Sequence, residues 1–108
     1  MSETEFVVVF TTVDSLEKAE SLASTCVEQQ LVAWVQIDGA ITSVYRREGR
    51  VETSVEYRLG LKTSVSMVDS FSSLVEELHT YDVPEIIVLP IVSGSEKYVS
   101  WMRDSLSI

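Results

Sequence analysis

Apolar and polar positions alternate along this chain with two periods, and the period switches mark out its elements. From Phe6 to Thr12 the residues are β-branched or aromatic with no polar alternation, which predicts a strand buried on both faces. Leu16, Ala19, Leu22, Ala23, Cys26 and Val27 then recur at helical spacing, with Glu17, Lys18, Glu20, Ser21 and Ser24 on the other side. Asp14 offers a carboxylate to cap this helix, Glu17 follows three residues on, and the pattern ends near Gln30. A second strand is predicted from Leu31 to Asp38, continuing past Gly39 through Ile41–Tyr45 with a bulge or bend at the glycine. Arg46-Arg47-Glu48-Gly49-Arg50 reads as a hairpin tip, with Gly49 placed for a positive φ. The third strand has the clearest period of two. Val51, Thr53, Val55, Tyr57, Leu59 and Leu61 face one way, and Glu52, Ser54, Glu56, Arg58, Gly60 and Lys62 the other.

Ser66 is placed to cap a second helix that carries Met67, Val68, Phe71, Leu74, Val75 and Leu78 and ends at His79 or Thr80. Pro84 opens a fourth strand, Glu85–Ile91, again apolar on both faces. Gly94 breaks the chain, and Ser95 starts a last helix with Tyr98, Trp101, Met102 and Leu106. The order βαββαβ plus a terminal helix is the ferredoxin-like α+β pattern, an antiparallel sheet with two helices on one face. Its second face should be polar if it meets water. The first and fourth strands are instead apolar on both sides, and Val32 and Trp34 alternate with Leu31, Ala33 and Val35. Soluble monomers rarely expose such a patch, so the pattern predicts an oligomer packed through its sheets.

Length and charge narrow the function. At 108 residues the chain, 1–108, is one domain. With 8 basic and 17 acidic residues it carries −9, a field that repels phosphate backbones and anionic lipids, so neither nucleic acid nor membrane is an expected partner. The N-terminal Met1–Glu5 is acidic where a secretory leader would be basic, and no apolar run approaches the ~20 residues of a membrane span. Together with a single cysteine, Cys26, this predicts a cytoplasmic, reduced protein. Cys26 lies on the apolar side of its helix, as a small core residue.

Several motifs carry a family resemblance over about Val7 to Leu106. They are Gly39-Ala40-Ile41-Thr42-Ser43-Val44-Tyr45, Glu48-Gly49-Arg50-Val51-Glu52, Glu56 through Leu61-Lys62-Thr63, and His79-Thr80-Tyr81-Asp82-Val83-Pro84-Glu85, followed by Leu89-Pro90, Tyr98 and Trp101. The histidine segment resembles the His-Pro-Tyr-x-x-Pro-Glu of the CutA divalent-cation tolerance family. The resemblance implies a homotrimer of ferredoxin-like subunits, similar in architecture to PII signalling proteins. Sheet edges would pair between neighbours and a long second–third-strand hairpin would reach across. It also implies a role in copper or other divalent-cation tolerance, and small-ligand clefts between subunits. The chain departs from the family at Trp34 (where Cys is common), Thr11 (Cys in some bacterial members), Arg47 (Trp) and Thr80 (Pro). Those departures weigh against a thiolate copper site, since soft ligands select Cu(I).

Candidate chemistry is sparse. His79 is the one histidine, at the end of a helix, with Glu76 three residues before it; with Glu85 these are the candidate ligands for a divalent metal ion, copper or zinc. A closed site needs three or four ligands, so neighbours in a trimer would have to contribute. The structural alternative for His79 is a helix cap or hydrogen-bonding role. Tyr45, Glu56, Lys62, Tyr81 and Trp101 match the family's polar and aromatic positions and are candidates for an inter-subunit pocket or for interface ion pairs. No Gly-x-Ser-x-Gly, phosphate-cradling loop or His-Glu-x-x-His is present, and no base other than His79 stands ready to activate a nucleophile. The expectation is a non-catalytic metal-binding protein. Its alternatives are a PII-like module binding a small molecule, or a trimeric scaffold for a protein partner.

Overall fold

The computed structural model describes residues 5–78 and 83–108. The chain runs β1 (Phe6–Val13), α1 (Leu16–Glu28), β2 (Trp34–Arg47), β3 (Arg50–Ser64), a 3-10 turn at Val65–Met67, α2 (Val68–Leu78), β4 (Ile87–Pro90) and α3 (Glu96–Leu106). The strands form one antiparallel sheet in the order β2-β3-β1-β4. This is the expected ferredoxin-like arrangement.

Alternation along β1 sorts its side chains between two cores. Val7, Val9 and Val13 point to the side where Leu22 and Cys26 of α1 and Phe71 and Val75 of α2 close over Leu59 and Leu61. Phe6, on the other face, packs with Ala33, Met102 and Leu106, so α3 covers part of the face that the two main helices leave open. Arg103 binds the Glu5 carboxylate, which ties α3 to the start of β1. The rest of that second face stays apolar: Ile87 is 48% and Leu89 45% exposed.

Three local expectations change. The α1 cap is Ser15, whose hydroxyl accepts from the Lys18 amide at 3.2 Å, while the Asp14 carboxylate sits 2.8 Å from Lys18 Nζ. A hydroxyl at the N-cap reaches the amide three residues on; a carboxylate one position earlier is left to pair with the side chain. Helix α2 starts after the 3-10 turn, and Ser66 shares a 2.8 Å hydrogen bond with Ser64 instead of capping. The end of α2 expected at His79 or Thr80 falls outside the described residues. Strand β4 is only four residues, Ile87–Pro90, so the expected Glu85 and Ile86 precede it; at its far end Pro90 has no amide to donate, and the Ile91 amide adds one bond, to Phe6 O at 3.0 Å.

The bulge is where it was expected. Register shifts between Asp38↔Arg58 and Ile41↔Glu56, so Gly39 and Ala40 together stand against Tyr57. The extra residue reverses which β2 parity faces the helices. A Cβ on Gly39 would overlap the Tyr57 ring at Cδ1 and Cε1, so only glycine admits the ring there. Beyond the bulge the two strands run on as an arm that turns at Glu48 and Gly49, both at positive φ. On β3 the predicted face holds as far as Leu59 and Leu61, which are buried. Val51 and Val55 are exposed because the arm has passed beyond the helices.

Candidate functional site

Lys62 is the centre of the most organised polar cluster. β3 places it opposite Trp34 of β2, on the sheet face away from α1 and α2. Its ammonium donates to Gln36 Oε1 at 3.3 Å and to Tyr98 Oη at 3.4 Å. It stands 5.9 Å from the Trp34 ring centroid and 5.3 Å from that of Tyr98. Trp101 completes the group: its ring is 5.5 Å from Trp34, edge-on, and 5.7 Å from Tyr98. Such ring faces favour a cation, and the ring edges fit the T-shaped contacts seen. Trp34 and Trp101 each keep about 40% of their surface in solvent. A half-buried ammonium with donor capacity beyond two bonds, walled by aromatic rings, can hold an anionic group on a flat apolar ligand.

The other expected pocket residues are elsewhere in the chain. Glu56 is buried opposite Ile41, just past the bulge, and Tyr45 pairs with Glu52 far out on the arm. Six residues of strand, roughly 20 Å, separate Glu56 from Lys62. Trp101 and Lys62 therefore share the Trp34–Tyr98 cluster within one copy, whereas Tyr45 and Glu56 lie out on the hairpin, four residues of strand or roughly 13 Å from each other. Tyr81 and His79 lie outside the described residues. Glu76 and Glu85 are both solvent-exposed. Among the described residues no three His, Cys, Asp or Glu side chains gather as a metal site.

Cys26 is fully buried, and burial pushes its thiol up to about 11 from 9.0. It stays protonated at neutral pH and provides no thiolate. The partners of Lys62 that sequence reading did not assign are Gln36 and Tyr98. The signal for Gln36 is its place two residues after Trp34, on the same strand face. Tyr98 can be placed only once α3 is known to cross that face.

A family model described as CutA1 divalent ion tolerance protein matches residues 7–105. The chain belongs to this family. It is similar to the chloroplastic protein CutA of Arabidopsis thaliana, 41% identical over 92% of this chain and 54% of that protein. It is also similar to the divalent-cation tolerance protein CutA of Thermus thermophilus, 40% identical over 91% of this chain and 95% of the relative. The crystal structure of CutA1 from Oryza sativa superposes with a TM-score of 0.92 at 40% identity, over 94% of each chain. The chain thus spans about half the length of the plant CutA protein and nearly all of the bacterial one. Among the described residues no helix is long and apolar enough to cross a membrane.

Proposed function

We propose that this CutA-family protein is a cytoplasmic homotrimer that binds divalent cations weakly, through His79, Glu76 and Glu85, and catalyses no reaction. The match of residues 7–105 to the divalent ion tolerance family carries the reading. The donor set agrees with it in kind. Exposed carboxylates are hard ligands, and with a neutral imidazole they suit a borderline divalent ion such as zinc or copper(II). With its one thiol buried and protonated, the chain offers no thiolate to select Cu(I). One chain's candidates fall short of a closed site, so neighbouring copies would supply the remaining ligands. The trimer itself is supported by the apolar second face of the sheet, where Ile87, Leu89, Trp34 and Trp101 remain exposed in a single copy.

Native mass spectrometry with copper, zinc and a chelator tests this. A trimer taking up a fixed number of ions, lost in His79→Ala and kept in Cys26→Ala, is the expected result. A trimer that stays free of metal removes the cation role and leaves the assembly standing.

The Lys62 cluster favours a second reading, in which a small anionic molecule binds beside Trp34 and Trp101. Its signature would be a metabolite-induced rise in melting temperature that Lys62→Met abolishes and His79→Ala does not.

A further inference from the structure

Among the described residues Lys62 has no counter-charge: no carboxylate pairs with it, whereas Arg58 holds Asp38 and Arg103 holds Glu5. Its ammonium carries three N–H donors. Two go to neutral oxygens, those of Gln36 and Tyr98, at 3.3 and 3.4 Å, longer than the usual N–H···O bond. On a chain of net charge −9, a half-buried ammonium facing only neutral acceptors offers an anion a local attraction that the rest of the surface denies it.

The two partners keep donors of their own. Tyr98 Oη accepts from Lys62 and retains its proton, and Gln36 accepts through Oε1 and retains both N–H groups of its amide. Among the described residues nothing takes these hydrogens. An ammonium N–H, a phenol O–H and an amide NH2 thus stay available within one cluster. The walls beside them are aromatic. Trp34 meets Trp101 at 76° and Tyr98 at 64°, while Trp101 and Tyr98 are tilted by only 30°. The rings therefore make a corner, with Trp34 as one wall and Trp101 beside Tyr98 as the other. A flat ring in such a corner stacks on one wall and turns its edge to the other, the two arrangements that aromatic pairs prefer.

The geometry points to a planar aromatic monocarboxylate as the ligand of this corner, its carboxylate on Lys62, Tyr98 and Gln36 and its ring between Trp34 and Trp101. This assignment rests on the reading of a small anion at Lys62 and narrows it to one class. The ammonium stands 5.9 Å from the Trp34 centroid and 5.3 Å from that of Tyr98, so the carboxylate joins the ring directly or through one carbon. A saturated chain would reach Lys62 but gain neither ring contact. A phosphate monoester brings nearly two charges into the field of an acidic chain. It also finds no arginine fork in the cluster, since Arg58 lies four strand residues away, roughly 13 Å, and is held by Asp38.

Calorimetric titration of the metal-free, assembled wild-type protein with 2-naphthoate, 2-naphthyl phosphate and octanoate tests the class. Saturable binding of 2-naphthoate is expected, about tenfold tighter than that of either other anion. Lys62→Met should weaken it by roughly a hundredfold and Tyr98→Phe by about tenfold. Tyr98→Phe keeps both walls and removes only the hydroxyl, so its loss reads the carboxylate contact even where Lys62→Met disturbs the sheet. Equal or tighter binding of octanoate or of 2-naphthyl phosphate overturns the aromatic monocarboxylate and leaves a small anion at Lys62 standing. A 2-naphthoate affinity unchanged in both variants, or a wild-type protein that takes up none of the three, overturns both readings.

Discussion

Thr11 shows how finely β1 sorts its side chains. It is fully buried on the helix-facing side of β1, and its hydroxyl has no hydrogen-bond partner among the described residues. A buried hydroxyl left unbonded forfeits its hydration, so Thr11→Val is expected to stabilise the fold by about 1 kcal/mol. Urea unfolding measures this, and a destabilised variant would show that the hydroxyl is bonded after all. Cys26 gives a second expectation at this scale. Its native pKa is raised from 9.0 to about 11 by burial, so above pH 9 the unfolded chain binds fewer protons than the folded one. Stability contributed by Cys26 is complete below pH 9 and declines as pH rises toward 11, by roughly 2–3 kcal/mol in all. Unfolding titrations of wild type against Cys26→Ala should diverge over that window, and parallel curves would refute the assignment. That Cys26 is a core residue was legible from its helical spacing. That the Thr11 hydroxyl is an orphan was not, because hydrogen-bond partners depend on neighbours distant in sequence.

The long hairpin carries the most information among the elements. Its bulge was legible, since a glycine interrupts an otherwise continuous strand pattern at Gly39. The reason a glycine is needed there was not: Tyr57, eighteen residues on, lays its ring against the Gly39 backbone. Gly39→Ala is expected to cost about 1–3 kcal/mol through overpacking. Shortening the ring in Gly39→Ala/Tyr57→Leu should recover part of that loss, read as non-additivity in a double-mutant cycle. Strictly additive losses would mean that the contact is not the cause. The caps were less legible. Asp14, Ser15 and Ser66 are all competent cap residues, and the choice among them follows from where the backbone turns helical.

For the whole molecule, the sequence implied that one sheet face needed a further partner, and α3 turns out to supply part of the cover. What it leaves exposed includes Trp34, which packs edge-on against Trp101 and Tyr98. In Trp101→Phe, Trp34 is the sole tryptophan, and its emission should be blue-shifted in the assembled protein and move to the red on dilution to monomer. Emission like that of free tryptophan at every concentration would contradict burial of this face between copies. Periodicity determined the element order, the ferredoxin-like pattern and the apolar excess, because alternation and helical spacing are local properties of the chain. Motifs spread over its length determined the family. Only the tertiary structure decided that Lys62 gathers Trp34, Gln36, Tyr98 and Trp101, and that Glu56 and Tyr45 stand apart from them. Those placements depend on strand register, on the bulge that shifts it, and on which sheet face the last helix crosses. None of these is set by residues adjacent in sequence.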